Sequence, residues 1–224
     1  MQHHLLIDAD DTLWENNIYF EQAVHEFIAF LDHSSLQPDE VRAVLNEIEH
    51  EMGYGSVNFT RSLLATYRRL AERALTDEDL ERVRAFGAAI ARHPIEVMSG
   101  VEETLTYLAA RHRLILLTKG DEEEQTLKVE NSGLADHFSS ILVVAEKDRE
   151  TYTRLVSEMD LQPEHTWMIG NSPRSDINPA LAAGLNAVFI PHPHTWQLEI
   201  QELEHNGSGK FLQLSRFVEL REHF

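Results

Sequence analysis

The chain of 224 residues carries a formal net charge of −19 and no cysteine. That charge opposes non-specific binding to nucleic acid or anionic lipid, and the missing thiols exclude disulfides, thiolate catalysis and Cys-based zinc sites. A hydrophobic fraction of 42% suits a globular core, no stretch nears the roughly eighteen apolar residues of a membrane span, and the first residues lack a secretory pattern. The expectation is a cytoplasmic protein with no membrane or nucleic-acid partner.

Residues 5–7, Leu-Leu-Ile, read as a buried strand that runs straight into Asp8, Asp10, Asp11 and Thr12. Buried charge is costly unless it is paired or bound to a metal, so these acids need a compensating group. From 17 to 95 the texture is helical. Phe20, Val24, Phe27, Ile28 and Leu31 share one helix face, and Val41, Val44, Leu45, Ile48 and Met52 another, after Pro38 at a first helical position. Phe59, Leu63, Leu64, Tyr67 and Leu70 form a third stripe. Thr76 and Asp79 resemble a capping box ahead of Leu80, Val83, Phe86 and Ile90. These stripes read as the core of a helical module, interrupted by GYGSVN at 53–58.

The remainder alternates strands and helices. Strands are expected at 114–117, 141–144, 167–169 and 187–190, with a shorter one at 211–214; helices at 101–111, 121–131, 150–159, 175–183 and 215–222. Near-continuous apolar strands suit a parallel sheet covered on both faces, an α/β Rossmann-like core. Such sheets bind ligands at the carboxyl ends of their strands. There the sequence supplies Asp8, Asp10 and Thr12, then Thr118, Lys119, Gly120 and Asp121, then Lys147, then Gly170, Asn171, Ser172 and Asp176. Lys119, Lys128, Lys147 and Lys210 are the chain's four lysines, so two of them falling at strand ends is notable. Carboxylates and an amide are oxygen donors for a hard cation such as Mg²⁺, while a hydroxyl and an ammonium can hold phosphoryl oxygens.

The order DxDxT, a strand-end Thr, a later Lys and an acidic GNSPRSD loop resembles the haloacid dehalogenase superfamily, in a phosphatase-like branch with a helical cap inserted between its first two motifs. Residues 1–16 and 96–224 then correspond to the catalytic core and 17–95 to the cap. The resemblance implies Asp8 as the nucleophile that forms an aspartyl-phosphate, and Asp10 as general acid and base. It gives Thr118 and Lys147 to the phosphoryl group. Mg²⁺ falls to Asp8, the Asp10 carbonyl, and Asn171 or Asp176. Dehalogenating members lack the second Asp of DxD, so the implied activity is phosphomonoester hydrolysis of a small metabolite. A phosphomutase, a phosphonate-cleaving relative and a catalytically silent binding protein are the alternatives; a signalling receiver fits less well, because no strand-end Asp lies between Trp14 and Thr118.

Two positions depart from the family pattern. Asn171 stands where Asp is usual after the glycine, and Asn171 is read as a direct metal ligand with Asp176 behind it. Lys119 stands where Asn often follows the motif Thr; it either reads a second anionic group on the substrate or pairs with Asp121. PHPHTW at 191–196 reads as a loop rather than a His192–His194 metal site, and Trp14 as packing the cap hinge or lining the entrance. Selectivity is expected near 53–58.

Overall fold

The computed structural model describes residues 2–204 and 208–224. The chain divides into two compact units, one formed by 1–17 with 95–224 and the other by 18–94.

The first unit is built on six strands: β1 (His4–Ile7), β2 (Arg113–Lys119), β3 (Ser140–Val144), β4 (Thr166–Gly170), β5 (Asn186–Phe189) and β6 (Phe211–Gln213). They form one sheet in the order β3-β2-β1-β4-β5-β6, parallel throughout. Strand β1 lies between β2 and β4, with Ile7 opposite both Leu116 and Ile169. The acids that follow Ile7 therefore emerge beside the ends of two neighbouring strands.

Alternation sends side chains to two apolar layers. Leu5, Ile7, Leu114, Leu116 and Ile169 pack on one face with Val101, Leu105 and Leu108 of α5 (Val101–Ala109) and Val129 of α6 (Glu122–Ser132). Leu6, Ile115, Leu117 and Met168 pack on the other with Tyr152 and Leu155 of α7 (Arg149–Glu158) and Ala180 of α8 (Asn178–Ala182). Each such side chain contributes about 1.5–3 kcal/mol on burial. Asp121 and Asp148 accept hydrogen bonds from the first turns of α6 and α7, which starts both helices just beyond strand ends.

The expected helix 175–183 is two pieces. A wide π-helical turn over Pro173–Ile177 precedes α8, because Ser172 caps it on two levels: its carbonyl accepts from Asp176 and Ile177, and its hydroxyl from the Ser175 amide. The expected helix 215–222 is a 3₁₀ turn over Phe217–Glu222. Strands 187–190 and 211–214 each end a residue early, at Phe189 and Gln213.

The second unit holds most of α1 (Asn17–Leu31), and α2 (Pro38–Met52), α3 (Ser56–Leu70) and α4 (Asp77–Ile90). Its core joins Val24, Phe27, Val41, Leu45, Phe59, Leu63, Tyr67, Val83 and Phe86. Helices α3 and α4 approach closely at Gly87, where a Cβ would come 2.0 Å from Thr60 Oγ1. The two segments of chain that pass between the units are bonded to each other: Trp14 bridges Val97, Met98 N donates to Leu13 O (2.9 Å) and Glu15 N to Glu96 O (3.0 Å).

Candidate active site

Asp8 leaves β1 with its amide donating to Ile169 O at 2.9 Å, so the sheet ladder itself fixes where the carboxylate begins. Lys147 lies beyond β3 and its ammonium bridges two acids, Asp8 Oδ1 at 2.5 Å and Asp176 Oδ1 at 2.8 Å. All three residues are buried. Burial and the neighbouring Asp176 push the Asp8 carboxyl up to about 7, against the pull of Lys147. Burial disfavours the Lys147 ammonium, but Asp176 and Asp8 together outweigh it and hold the lysine protonated above its ordinary range.

Asp176 uses both oxygens: Oδ1 faces Lys147 and Oδ2 accepts from the Ser172 amide at 2.9 Å. Gly170 makes room for it, since a Cβ there would sit 2.2 Å from Asp176 Oδ2. Asn171 joins the group through Thr12, whose hydroxyl donates to Asp8 Oδ2 at 2.9 Å and lies 3.4 Å from Asn171 Oδ1. Thr118 is buried at the end of β2.

The Asp10 side chain has its own set of donors. Trp14 Nε1 reaches Oδ1 at 2.8 Å, Gln125 Nε2 reaches Oδ2 at 2.9 Å, and the Lys128 ammonium touches both oxygens at 3.1 and 3.0 Å. Burial raises the Asp10 carboxyl, but Lys128 first, then Gln125 and Trp14, outweigh it and hold it below the usual carboxylate range. Trp14 is thus buried with its indole turned to Asp10. Gln125 and Lys128, three apart on α6, present one face to it. Lys128 was visible in the sequence as one of four lysines, but nothing there linked it to Asp10.

Lys119 is engaged elsewhere. Its ammonium donates to Glu199 Oε1 at 2.6 Å and Ser175 Oγ at 2.7 Å, while Asp121, the alternative partner, caps α6 at Glu124 instead. Glu199 also accepts from the hydroxyls of Ser172 (2.6 Å) and Ser175 (2.5 Å). Burial opposes its ionisation, yet Lys119 and the two hydroxyls hold its carboxyl below the ordinary value. Neither Glu199 nor Thr195, which accepts from Asn171 Nδ2 at 3.0 Å, carried a signal in the sequence.

Asp11, Glu15 and His192 form a second titratable group, with atoms able to ligate a cation within 4.8 Å of one another. Asp11 sits at φ 59° and its Oδ1 accepts from the Asn16 and Asn17 amides. His192 Nδ1 accepts from His194 N (3.3 Å), which assigns its proton to Nε2, 3.2 Å from Glu15 Oε2. Burial lowers the His192 imidazole below its ordinary range, so the trio reads as a neutral imidazole packed beside two acids in the loop, not as a cation cage. Among the described residues no helix is long and apolar enough to cross a membrane.

The model of the haloacid dehalogenase-like hydrolase family matches residues 3–184. The phosphoserine phosphatase of Thermus thermophilus is 31% identical over 119 residues, 49% of this chain and 46% of that protein. The N-acylneuraminate-9-phosphatase of Homo sapiens is 32% identical over 125 residues, 53% of this chain and 50% of its own. The chain thus spans about half the length of these curated relatives. A haloacid dehalogenase-like family hydrolase from Xanthomonas campestris superimposes with a TM-score of 0.86 at 33% identity, covering 99% of this chain and 94% of that one. The L-2-haloacid dehalogenase of Xanthobacter autotrophicus, at 13% identity and TM-score 0.67 over 99% of this chain and 98% of its own, shares the fold. With the family match running from β1 through α8, this chain belongs to the haloacid dehalogenase-like hydrolases.

Proposed function

We propose that the chain hydrolyses the phosphate monoester of a small metabolite, with Asp8 as nucleophile and a Mg²⁺ ion beside it. The observation that carries this reading is the buried Asp8–Lys147–Asp176 chain at the carboxyl edge of the sheet, with Asp10 two residues on. Asp8 attacks phosphorus, so an Asp8 O–P bond forms as the bond to the leaving alcohol breaks and Asp10 protonates the departing oxygen. Asp10 then takes a proton from water, which attacks phosphorus and frees Asp8 and inorganic phosphate. Lys147 favours the ionised form of Asp8 and, with Thr118, is assigned to the transferring phosphoryl oxygens. Held ionised by Lys128, Asp10 is ready for the water-activating half; for the proton-donating half it must first leave that lysine and take up a proton from solvent.

The donor set suits a hard cation. Its candidate members are all oxygens, and two carboxylates facing one ammonium leave a buried negative charge to be balanced. Asp8, the Asp10 carbonyl and Asn171 are assigned as ligands, with Asp176 behind them, bonded to Lys147 and to the Ser172 amide. When bound, Mg²⁺ neutralises charge on the phosphoryl oxygens. We assign Lys119 to holding the 172–175 turn through Glu199 and Ser175 rather than to substrate, and the helical unit, with its 53–58 segment, to substrate selection.

The test is inorganic phosphate release from an aryl phosphate and from a panel of phosphorylated metabolites that includes phosphoserine and N-acylneuraminate 9-phosphate, with and without Mg²⁺. Metal-dependent release, with phosphate trapped on Asp8, is expected. No release from any of them, or phosphate trapped on another residue, would overturn the reading.

A further inference from the structure

Asn171 raises a problem that a carboxylate in its place would not. A carboxylate offers oxygen at either end, whereas an amide offers oxygen at one end and N–H at the other, so an asparagine ligates a cation only when turned the right way. Something must set that orientation.

The neighbouring loop does so. Thr195 Oγ1 donates its single hydrogen to His192 O at 3.0 Å, and a carbonyl can only accept. Towards Asn171 the same hydroxyl therefore has only lone pairs to offer, and it accepts from Nδ2 at 3.0 Å. The flipped amide would set a carbonyl oxygen against those lone pairs. Hence Oδ1 faces the other way, towards Asp8, 3.4 Å from the Thr12 oxygen whose own hydrogen goes to Asp8 Oδ2. The loop that holds Thr195 is fastened in turn: Thr195 N donates to His192 O (3.2 Å), and Asn17 Nδ2 donates to His194 O (2.6 Å). Asn171 is 6% exposed, which leaves bulk water little part in orienting it.

We propose that Thr195 is a positioning residue that makes an asparagine serve as a cation ligand, by fixing the Asn171 amide with Oδ1 turned towards Asp8. The proposal rests on the reading of Asn171 as a ligand, and its test separates the two. Mn²⁺, a spectroscopic stand-in for Mg²⁺, is titrated into metal-free full-length protein and the free ion is followed by electron paramagnetic resonance. Thr195→Val, close in shape but without a hydroxyl, should weaken Mn²⁺ binding about 10- to 100-fold, the range for groups that orient metal ligands. Thr195→Ser should restore binding to within a few-fold of the unaltered protein. In an Asn171→Asp background Thr195→Val should change affinity little, because a carboxylate needs no turning. Thermal unfolding of the Val and Ser variants should agree.

Thr195→Val binding Mn²⁺ as tightly as the unaltered protein, while Asn171→Ala binds weakly, would overturn the role of Thr195 and leave Asn171 a ligand. Unchanged affinity in Asn171→Ala would overturn the ligand reading itself. Equal losses in Thr195→Val and Thr195→Ser, or an undiminished loss in the Asn171→Asp background, would assign the effect to loop packing and reject the proposal.

Discussion

Gly170→Ala places one methyl group where the fourth strand ends. The new Cβ would lie 2.2 Å from Asp176 Oδ2 and 2.5 Å from its Cγ. Ordinary contact needs about 3.4 Å or more, so Asp176 must withdraw by roughly 1 Å, since the methyl is fixed to the strand backbone. Withdrawal strains two bonds together, to the Ser172 amide and to Lys147. The side chains of Lys147 and Asp176 are each 1% exposed, so water cannot readily take the vacated place. Breaking one side of a buried ion pair costs about 3–5 kcal/mol. Replacing a strand glycine by alanine returns about 0.5–1 kcal/mol. The net expectation is a loss of about 2–4 kcal/mol in the stability of the sheet unit. Activity should fall further than stability implies, because Lys147 loses one of its two anchors and a displacement near 1 Å at a reacting group costs about 100-fold. Urea unfolding and initial rates on an aryl phosphate, measured where the variant is still folded, read both effects. A variant as stable and active as the parent, with Asp176 unmoved in its crystal structure, would refute the reasoning.

Other perturbations test other parts of the molecule. Asp8→Asn should keep the fold and abolish turnover, since a neutral amide does not attack phosphorus; measurable phosphate release would remove Asp8 as nucleophile. Lys128→Met should raise the Asp10 carboxyl, which Lys128, Gln125 and Trp14 hold low against its burial. Single-turnover decay of the phosphoenzyme should then slow more at pH 6 than at pH 8, and a uniform slowing would argue against tuning of Asp10. In the helical unit, burial and then Glu21 repulsion, opposed by Arg42, push Glu49 from 4.5 to about 7. A raised carboxyl contributes stability that is full below pH 4.5 and is lost as pH climbs through 7. Glu49→Gln should therefore stabilise the protein at pH 8 by up to about 3 kcal/mol and make little difference at pH 4. Thermal unfolding by circular dichroism checks this, and a larger gain at the acid end would contradict it.

The strand ends were legible because their chemistry is local. An apolar run that breaks into Asp8 and Asp10, or into Thr118, announces both the strand and the candidate site at its end in a few residues. The π-helical turn was hidden for a related reason: its width comes from Ser172 bonding to several amides at once, which helical periodicity does not encode. Lys128 and Glu199 escaped because their partners lie 118 and 80 residues away, with Asp10 and Lys119. Only the folded sheet brings those segments together, and a helix face or a loop acid looks like ordinary solvated surface until it does. The orientation of Asn171 was further from reach, since it depends on where one hydroxyl hydrogen goes.

The bonded pair of crossing segments makes the helical unit separable in principle. Glu15 and Glu96 are joined by a single backbone hydrogen bond, as the two arms of a hairpin would be. Everything between them is an insertion whose ends already meet, the geometry at which domains are most readily exchanged or removed. A short glycine-containing turn from Glu15 to Glu96 would leave the sheet ladder untouched. The sheet edge and the helical unit can thus diversify on separate schedules, one scaffold accepting different helical inserts through the same two-stranded port.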